Sequence, residues 1–468
     1  MKKTFINIKK FIKTNFNRRI IIFIASALAI YLFISLYFVN HYFFNTIING
    51  VNISLKSHDD ANDIIKDYIK NYKLQLIERD GKKEEILGQD IEMYFNKESD
   101  ISKIDKIQNP CKWITSLLKM SNYYEASLFS YNKDILENKI SKLNCLNEDV
   151  IEPRNVSFKY SNGLYERVEE VYGNKIYEDK LNEAIKKSIS QGKISLDLDE
   201  NYCYENPKYV YYSHKAIETE ELLNKCLEAK ISYTFGNKNE ILDKDIINEW
   251  LYVDKDLEVV VNKRAVNSYL KGLSKKYDTV GIPRQFETSV GKTLEIKGGF
   301  YGWEIDCISE RKALIENIEH GEVIEKEPLY TQRAICRDED DIGNTYVEIN
   351  ITRQYLWFYK DGKIVTEGDV VTGNPNKDNA TKLGVYMINY KQKGSTLSGE
   401  GYESHVIYWM RFNGNIRLHD ASWRDSFGGD IYISNGSHGC VNAPLYLAKM
   451  IFENIEAGTP VICYEESL

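Results

Sequence analysis

The 468 residues are too many for one hydrophobic core and suit roughly three domains. With 43% hydrophobic and 28% charged residues the composition is globular, and only 8 prolines exclude a proline-rich architecture. The net charge of −8 counts against nucleic acid as a partner.

Residues 1–19 carry seven basic side chains and no acid, and Ile20 to Val39 follow without a charge. Twenty apolar residues at 1.5 Å each span about 30 Å, the thickness of a bilayer's hydrocarbon core. The one-sided basic flank predicts a cytoplasmic tail (1–19), a transmembrane helix (20–39) and an extracytoplasmic remainder. The alternative is a cleaved signal peptide. Its apolar region should be shorter and end in small residues, whereas Ala25-Ser26-Ala27 sits inside this run.

Beyond the apolar run the chain repeats itself. EILGQDI (Glu85–Ile91) matches EILDKDI (Glu240–Ile246), each after a strand-like run, KLQLIER or KISYTF. Tyr172–Gly192 and Tyr301–Gly321 share Tyr-Gly, Ile, Ala, Ile and Gly at an offset of 129. The first pair is offset by 155, so the first copy holds about 26 extra residues, around IQNPCKWITSLLKM. A period this long is a duplicated domain. Each copy opens with a helical pattern, Ala61, Ile64, Ile65 and Tyr68 or Leu222, Leu223, Cys226 and Leu227. Each closes with a helix, near 178–191 or 308–319, that Gly192 or Gly321 ends. The copies read as small α+β domains, 40–205 and 206–338, with no cluster of chemistry-bearing residues.

A charged hinge, Arg337–Asn344, leads into a β-rich domain at 339–468. Its strands alternate apolar and polar residues in TYVEINITRQYLWFYK, GVYMINYK, NIRLHD and DIYIS, with a hairpin turn at Lys360-Asp361-Gly362. A helix near 443–457 should bury Leu447, Met450, Ile451 and Ile455. The fold class is therefore α+β multidomain.

Three of the seven histidines, His405, His419 and His438, lie near Cys440. A thiol attacks only as thiolate, and an imidazole or a helix N-terminus favours that form. Asn442 and Pro444 suit the start of the final helix, which would aid Cys440. A free N–H at Gly439 or Cys440 suits an oxyanion. The rivals are a structural thiol and a zinc site of His419, His438 and Cys440. A zinc ion wants three or four ligands and these supply three at most, so zinc is disfavoured. His405 is the competing base. No cofactor or metal is called for, and the eight cysteines show no disulfide framework.

Ser437-His438-Gly439-Cys440-Val441-Asn442, with seventeen residues between it and His419, resembles the signature of the L,D-transpeptidase (YkuD-like) family. The likeness extends over 345–468, with Lys382 where the family has proline in Thr-Pro-x-Gly. It implies Cys440 as nucleophile, His419 as base and the backbone carbonyl of Asp420 as the group orienting that imidazole. It further implies Ser437, His438 and Gly439 as loop and oxyanion positions. Asn442, Tyr402 and Trp409 are candidate substrate contacts, Asn442 more readily a helix cap. INGVNIS (Ile48–Ser54) and the duplicated layout resemble peptidoglycan-binding domains set between a membrane anchor and a wall enzyme. The resemblance implies a membrane-anchored enzyme that makes 3→3 peptidoglycan cross-links through a thioester, with stem peptides and glycan as partners and carbapenems as acylating inhibitors. An L,D-carboxypeptidase and a catalytically silent wall anchor are the alternatives.

Overall fold

The computed structural model describes residues 2–96, 108–337, 341–399 and 402–466. The chain divides into two compact units, Met1–Ser157 with Val168–Ser213, and Phe158–Arg167 with His214–Leu468.

The first unit begins with helix α1 (Lys2–Tyr37), whose stretch Arg18–Tyr37 is long and apolar enough to cross a membrane. Helix α2 (His58–Lys70) starts where Ser57 accepts the Asp60 N–H, with Asp59 and Asp60 favouring the positive end of the helix dipole. Its residues Ala61, Ile65 and Ile69 recur every fourth position and are buried. They pack beside a sheet in which β1 (Lys73–Ile77) pairs antiparallel with β2 (Lys83–Leu87). Helix α3 (Glu178–Ser190) ends before Gly192 at φ +64° and leads to β3 (Ser195–Asp197), which joins β1 in parallel.

The second unit repeats that plan. Helix α4 (His214–Leu227) precedes an antiparallel pair, β4 (Lys230–Phe235) and β5 (Lys238–Leu242). After α5 (Lys263–Tyr277), α6 (Cys307–Glu319) ends before Gly321 at φ +66°, and β6 (Val323–Lys326) joins β4 in parallel. The two EIL segments occupy equivalent places, at the ends of β2 and β5 and into the short helices after them.

From Tyr346 onward the strands of this unit form two sheets. In the first, β7 (Tyr346–Asn350), β8 (Tyr355–Lys360), β9 (Lys363–Asp369), β10 (Gly384–Met387) and a late strand, Pro460–Tyr464, lie in the order β9-β8-β7-late-β10. Asp361 and Gly362 turn β8 into β9 with φ of +49° and +74°, the pair of positive values a two-residue hairpin turn requires. The second sheet contains β11 (Tyr390–Gly399), β12 (Tyr402–Asn413), β13 (Ile416–Asp420) and β14 (Val441–Ala443) in chain order. Helix α7 (Leu445–Asn454) packs against β9, β12 and β13, and the late strand is β15 (Pro460–Tyr464). Val347, Phe358, Met410, Leu418, Leu447 and Ile451 meet in their common core.

Three local expectations need correction. DIYIS forms a short helix, Ile431–Asn435, because a five-residue alternation also fits one helical turn. Helix α7 begins only at Leu445, since Val441–Ala443 is drawn into β14; Met450 stays exposed. The charged hinge is fastened where it is described; residues 338–340 lie outside the described residues. Arg337 lies 4.1 Å over the Trp303 ring, and buried Asp341 accepts from Arg284 Nε at 2.7 Å.

The sheet of β10 continues into the preceding repeat. Val385 N–H donates to Gly298 O and Tyr301 N–H to Val385 O, both at 3.1 Å. Gly299 permits this approach, because a Cβ there would lie 2.0 Å from Val385 O. Phe286, Trp303, Ile342, Ile462 and Tyr464 seal the seam.

Candidate active site

The site is built on the parallel pair β13 and β14. Their register sets Leu418 beside Val441 and His419 beside Asn442. Side chains alternate along a strand, so Arg417 and His419 share a face with Cys440 and Asn442. Cys440 and His419 thus occupy a diagonal of this four-residue patch.

His419 is buried, at 2% exposure, and its orientation is determined by its partners. Its Nδ1 lies 2.9 Å from the backbone carbonyl of Asp420, which can only accept, so Nδ1 carries the proton. Its Nε2 lies 3.2 Å from Asn442 Nδ2. The Asn442 amide cannot turn over, because Arg424 Nε donates to its Oδ1 at 2.9 Å and an arginine offers only donors. Nε2 is therefore the unprotonated nitrogen, and its lone pair accepts from Asn442 Nδ2. Burial pushes the His419 pKa below its ordinary value, with the Asp420 carbonyl and carboxylate opposing that shift. The carboxylate of Asp420 is buried; its Oδ1 accepts from the N–H groups of Ile407 and Tyr408 at 2.8 and 2.6 Å.

Cys440 is half-buried, and its sulfur lies 3.9 Å from Asn415 O. Burial pushes the thiol pKa up; the backbone N–H, charge and side chain of Arg417 oppose it. This corrects the expectation of a helix N-terminus beside the thiol. The three residues of β14 separate Cys440 from Pro444, the N-cap of α7. Asn442 is no cap either. Its backbone N–H and carbonyl both pair with Val371 at 2.9 Å, and its side chain serves His419.

The loop before Cys440 is held by hydroxyls. Ser437 Oγ accepts the Gly439 N–H at 3.1 Å and donates to the Cys440 carbonyl. Thr381 Oγ1 donates to Gly439 O at 2.8 Å and accepts the Gly373 N–H at 2.9 Å. In a planar trans peptide the carbonyl and N–H point oppositely, so anchoring Gly439 O turns the Cys440 N–H away from Thr381. Gly439 has φ +107°, a backbone conformation that a side chain would strain. His438 is exposed.

The other candidates are spread more widely. Trp409 pairs directly with His419 across β12 and β13, and the Arg417 guanidinium lies 5.1 Å from its ring centre. Tyr402 opens β12, and its side chain lies outside the described residues. Tyr408 belongs to the core. His405 is exposed on β12, four residues from the position opposite His419, or about 13 Å along a strand. Among the described residues no group of His, Cys, Asp and Glu is arranged to hold a metal ion. Arg417, Trp423 and Arg424 were not singled out by sequence. Arg417 was within reach, two places before His419 and hence on its face. Trp423, with its ring 6.0 Å from that of His419, and Arg424 lie past the end of β13, where no periodicity locates a side chain.

With this geometry in place, the chain can be set beside known proteins. Residues 344–463 match the family described as L,D-transpeptidase catalytic domain (YkuD), and residues 84–195 and 212–324 each match "Putative peptidoglycan binding domain". A crystal structure of a point mutant of Enterococcus faecium L,D-transpeptidase is 31% identical over 53% of this chain and 100% of that one, with a TM-score of 0.43. The chain belongs to the L,D-transpeptidase family. An NMR structure of the catalytic domain of an E. faecium L,D-transpeptidase acylated by ertapenem is 39% identical over 26% of this chain and 97% of that one, at a TM-score of 0.24. "Putative L,D-transpeptidase YciB" of Bacillus subtilis is 21% identical over 25% of this chain and 65% of its own length. This L,D-transpeptidase homologue is thus an acyltransferase-type enzyme with wall-directed domains and an N-terminal helix long and apolar enough to cross a membrane.

Proposed function

We propose that the chain is a membrane-anchored L,D-transpeptidase that forms 3→3 cross-links in peptidoglycan through a thioester on Cys440. The observation that carries this reading is the four-residue patch on β13 and β14, in which an imidazole with a defined unprotonated nitrogen shares one face with a half-buried thiol.

The thiol and the imidazole are both neutral at rest, since burial raises one pKa and lowers the other. Cys440 Sγ attacks the carbonyl of the L-centred residue in a donor stem as His419 Nε2 takes the thiol proton. The Cys440 N–H receives the developing oxyanion. The C–N bond then breaks, His419 returns the proton to the leaving amine, and a terminal D-amino acid departs. An amine of a second stem attacks the thioester and gives His419 a proton; the thiolate leaves and is reprotonated. Arg424 and Asn442 keep the imidazole in the tautomer this sequence needs, and the Asp420 carbonyl steadies the imidazolium between steps.

In this reading residues 1–19 are cytoplasmic and 20–39 span the membrane. Residues 40–205 and 206–338 are peptidoglycan-binding repeats that lift the catalytic domain, 339–468, toward the wall. Ertapenem acylates the E. faecium catalytic domain, and the same adduct is expected on Cys440. The deciding experiment is intact-mass spectrometry of the full chain with a defined tetrapeptide stem. A thioester adduct that converts to a cross-linked dimer supports the proposal. An adduct resolved only by water makes the enzyme an L,D-carboxypeptidase, and no adduct on an intact Cys440 overturns the assignment.

A further inference from the structure

The insertion in the first copy is left without a task by the cross-linking chemistry. Of IQNPCKWITSLLKM, Ile107 lies outside the described residues. From Pro110 to Leu117 the chain forms a 3-10 helix, begun by Asn109, whose side chain accepts the Cys111 N–H at 3.0 Å. Three residues per turn put Trp113 and Ser116 on one row, and both are buried. The same spacing puts Cys111, Ile114 and Leu117 on a second row, and all three are exposed. Leu118 follows at 94% exposure, then Met120, also exposed. The charges here are Lys112 and Lys119, and no acid occurs between Gln108 and Tyr124.

This surface lies beside α1. The Trp113 ring is 5.8 Å from Tyr31 and 6.1 Å from Phe38, and Tyr31 donates its hydroxyl to Cys111 O. Asn45 Nδ2 holds Ser116 O at 2.9 Å, and Gln108 Oε1 accepts the Phe43 N–H at 3.1 Å. Tyr31 precedes Tyr37, the end of α1, by six residues, about 9 Å of helix. Whatever surrounds the last turn and a half of α1 therefore also meets this segment.

We propose that Pro110–Met120 is an interfacial segment that sets Ile114, Leu117, Leu118 and Met120 into the outer leaflet of the lipid bilayer beside α1, a proposal that rests on the reading of α1 as a membrane span. A depth of about 9 Å matches that of helices lying at the headgroup–acyl boundary, about 5–10 Å. Tyr31, Tyr37 and Trp113 supply the aromatic residues favoured at that level. Lys112 and Lys119 can reach outward to lipid phosphates while their stems stay apolar. A glycan strand would leave the leucines in water, and so fits this surface poorly. The segment gives the first repeat a second point of attachment and so sets its tilt on the membrane.

The test uses the full chain in nanodiscs of phosphatidylcholine and phosphatidylglycerol, with a photoreactive p-benzoylphenylalanine at one position at a time. The positions are Phe33 in α1, Leu118, and Tyr212, an exposed residue of the same unit. After illumination, mass spectrometry of peptides reads the lipid adducts. The expected result is lipid adducts at 33 and 118 in comparable yield, and none at 212. A lipid adduct at 33 but not at 118 overturns the proposal and leaves the anchor standing. A chain-to-chain cross-link from 118 instead overturns it in favour of a second copy. Absence of an adduct at 33 overturns the anchor and the interfacial segment together.

Discussion

Two buried polar clusters in the second unit make an instructive pair. In the repeat, Glu310 is fully buried on α6, yet every partner it needs is present. It accepts from Tyr233 Oη at 2.6 Å and from the Leu329 N–H at 2.8 Å, and pairs with Lys326 at 2.7 Å. On β12, β13 and β14 the accounts stay open. Asp420 Oδ2, Arg417 Nε and Trp409 Nε1 are buried without a partner among the described residues, and the Cys440 thiol reaches the surface. A saturated cluster fastens helix to strand. An unsaturated one keeps polar capacity in reserve for a group that is not part of the chain.

That contrast can be broken at several points. Cys440→Ala is expected to abolish acylation by a stem peptide or a carbapenem while the unfolding midpoint stays put; residual thioester formation would sink the nucleophile assignment. His419→Ala should slow acylation by about 10²-fold or more, within the usual worth of a general base. The exposed alternative, His405→Ala, should leave the rate unchanged, and the reverse pattern would exchange their roles.

Glu310→Ala should act on stability alone. Removing one partner of a buried pair strands Lys326 and the Tyr233 hydroxyl, at a cost of about 3 kcal/mol or more in urea unfolding. The acylation rate of the folded fraction should not change. A large loss of rate at full folding would mean that the repeat couples to the site.

The smallest effect concerns pH. Because the Cys440 pKa is raised, the thiol stays protonated at neutrality, so alkylation by iodoacetamide should climb with pH and inflect above the ordinary cysteine value of about 8.5. Arg417→Gln removes the opposing charge and should move the inflection higher still. An inflection on the acid side of neutrality would reveal a preformed thiolate–imidazolium pair.

Much of the architecture was legible in sequence because its signals are local. The apolar run before Asn40, the repeated EIL segments, the glycines that end α3 and α6, and the Lys360–Gly362 turn each depend on neighbours a few residues away. DIYIS and the start of α7 misled because short alternations suit both states until a partner strand chooses. The motif named Cys440 and His419 by spacing, yet it said nothing of Arg417, Trp423 or Arg424.

What the sequence determined by itself was therefore the inventory: a span-length apolar helix, two related α+β copies, a β-rich end, and a thiol and imidazole with the twenty residues Asp420–Gly439 between them. Tertiary structure decided how these meet. Only the parallel pairing of β13 with β14 puts Asn442 against His419, and only Arg424, reaching in from a loop, dictates which way that amide points. Such pairings join residues distant in the chain, where register and desolvation, rather than local preference, set the outcome.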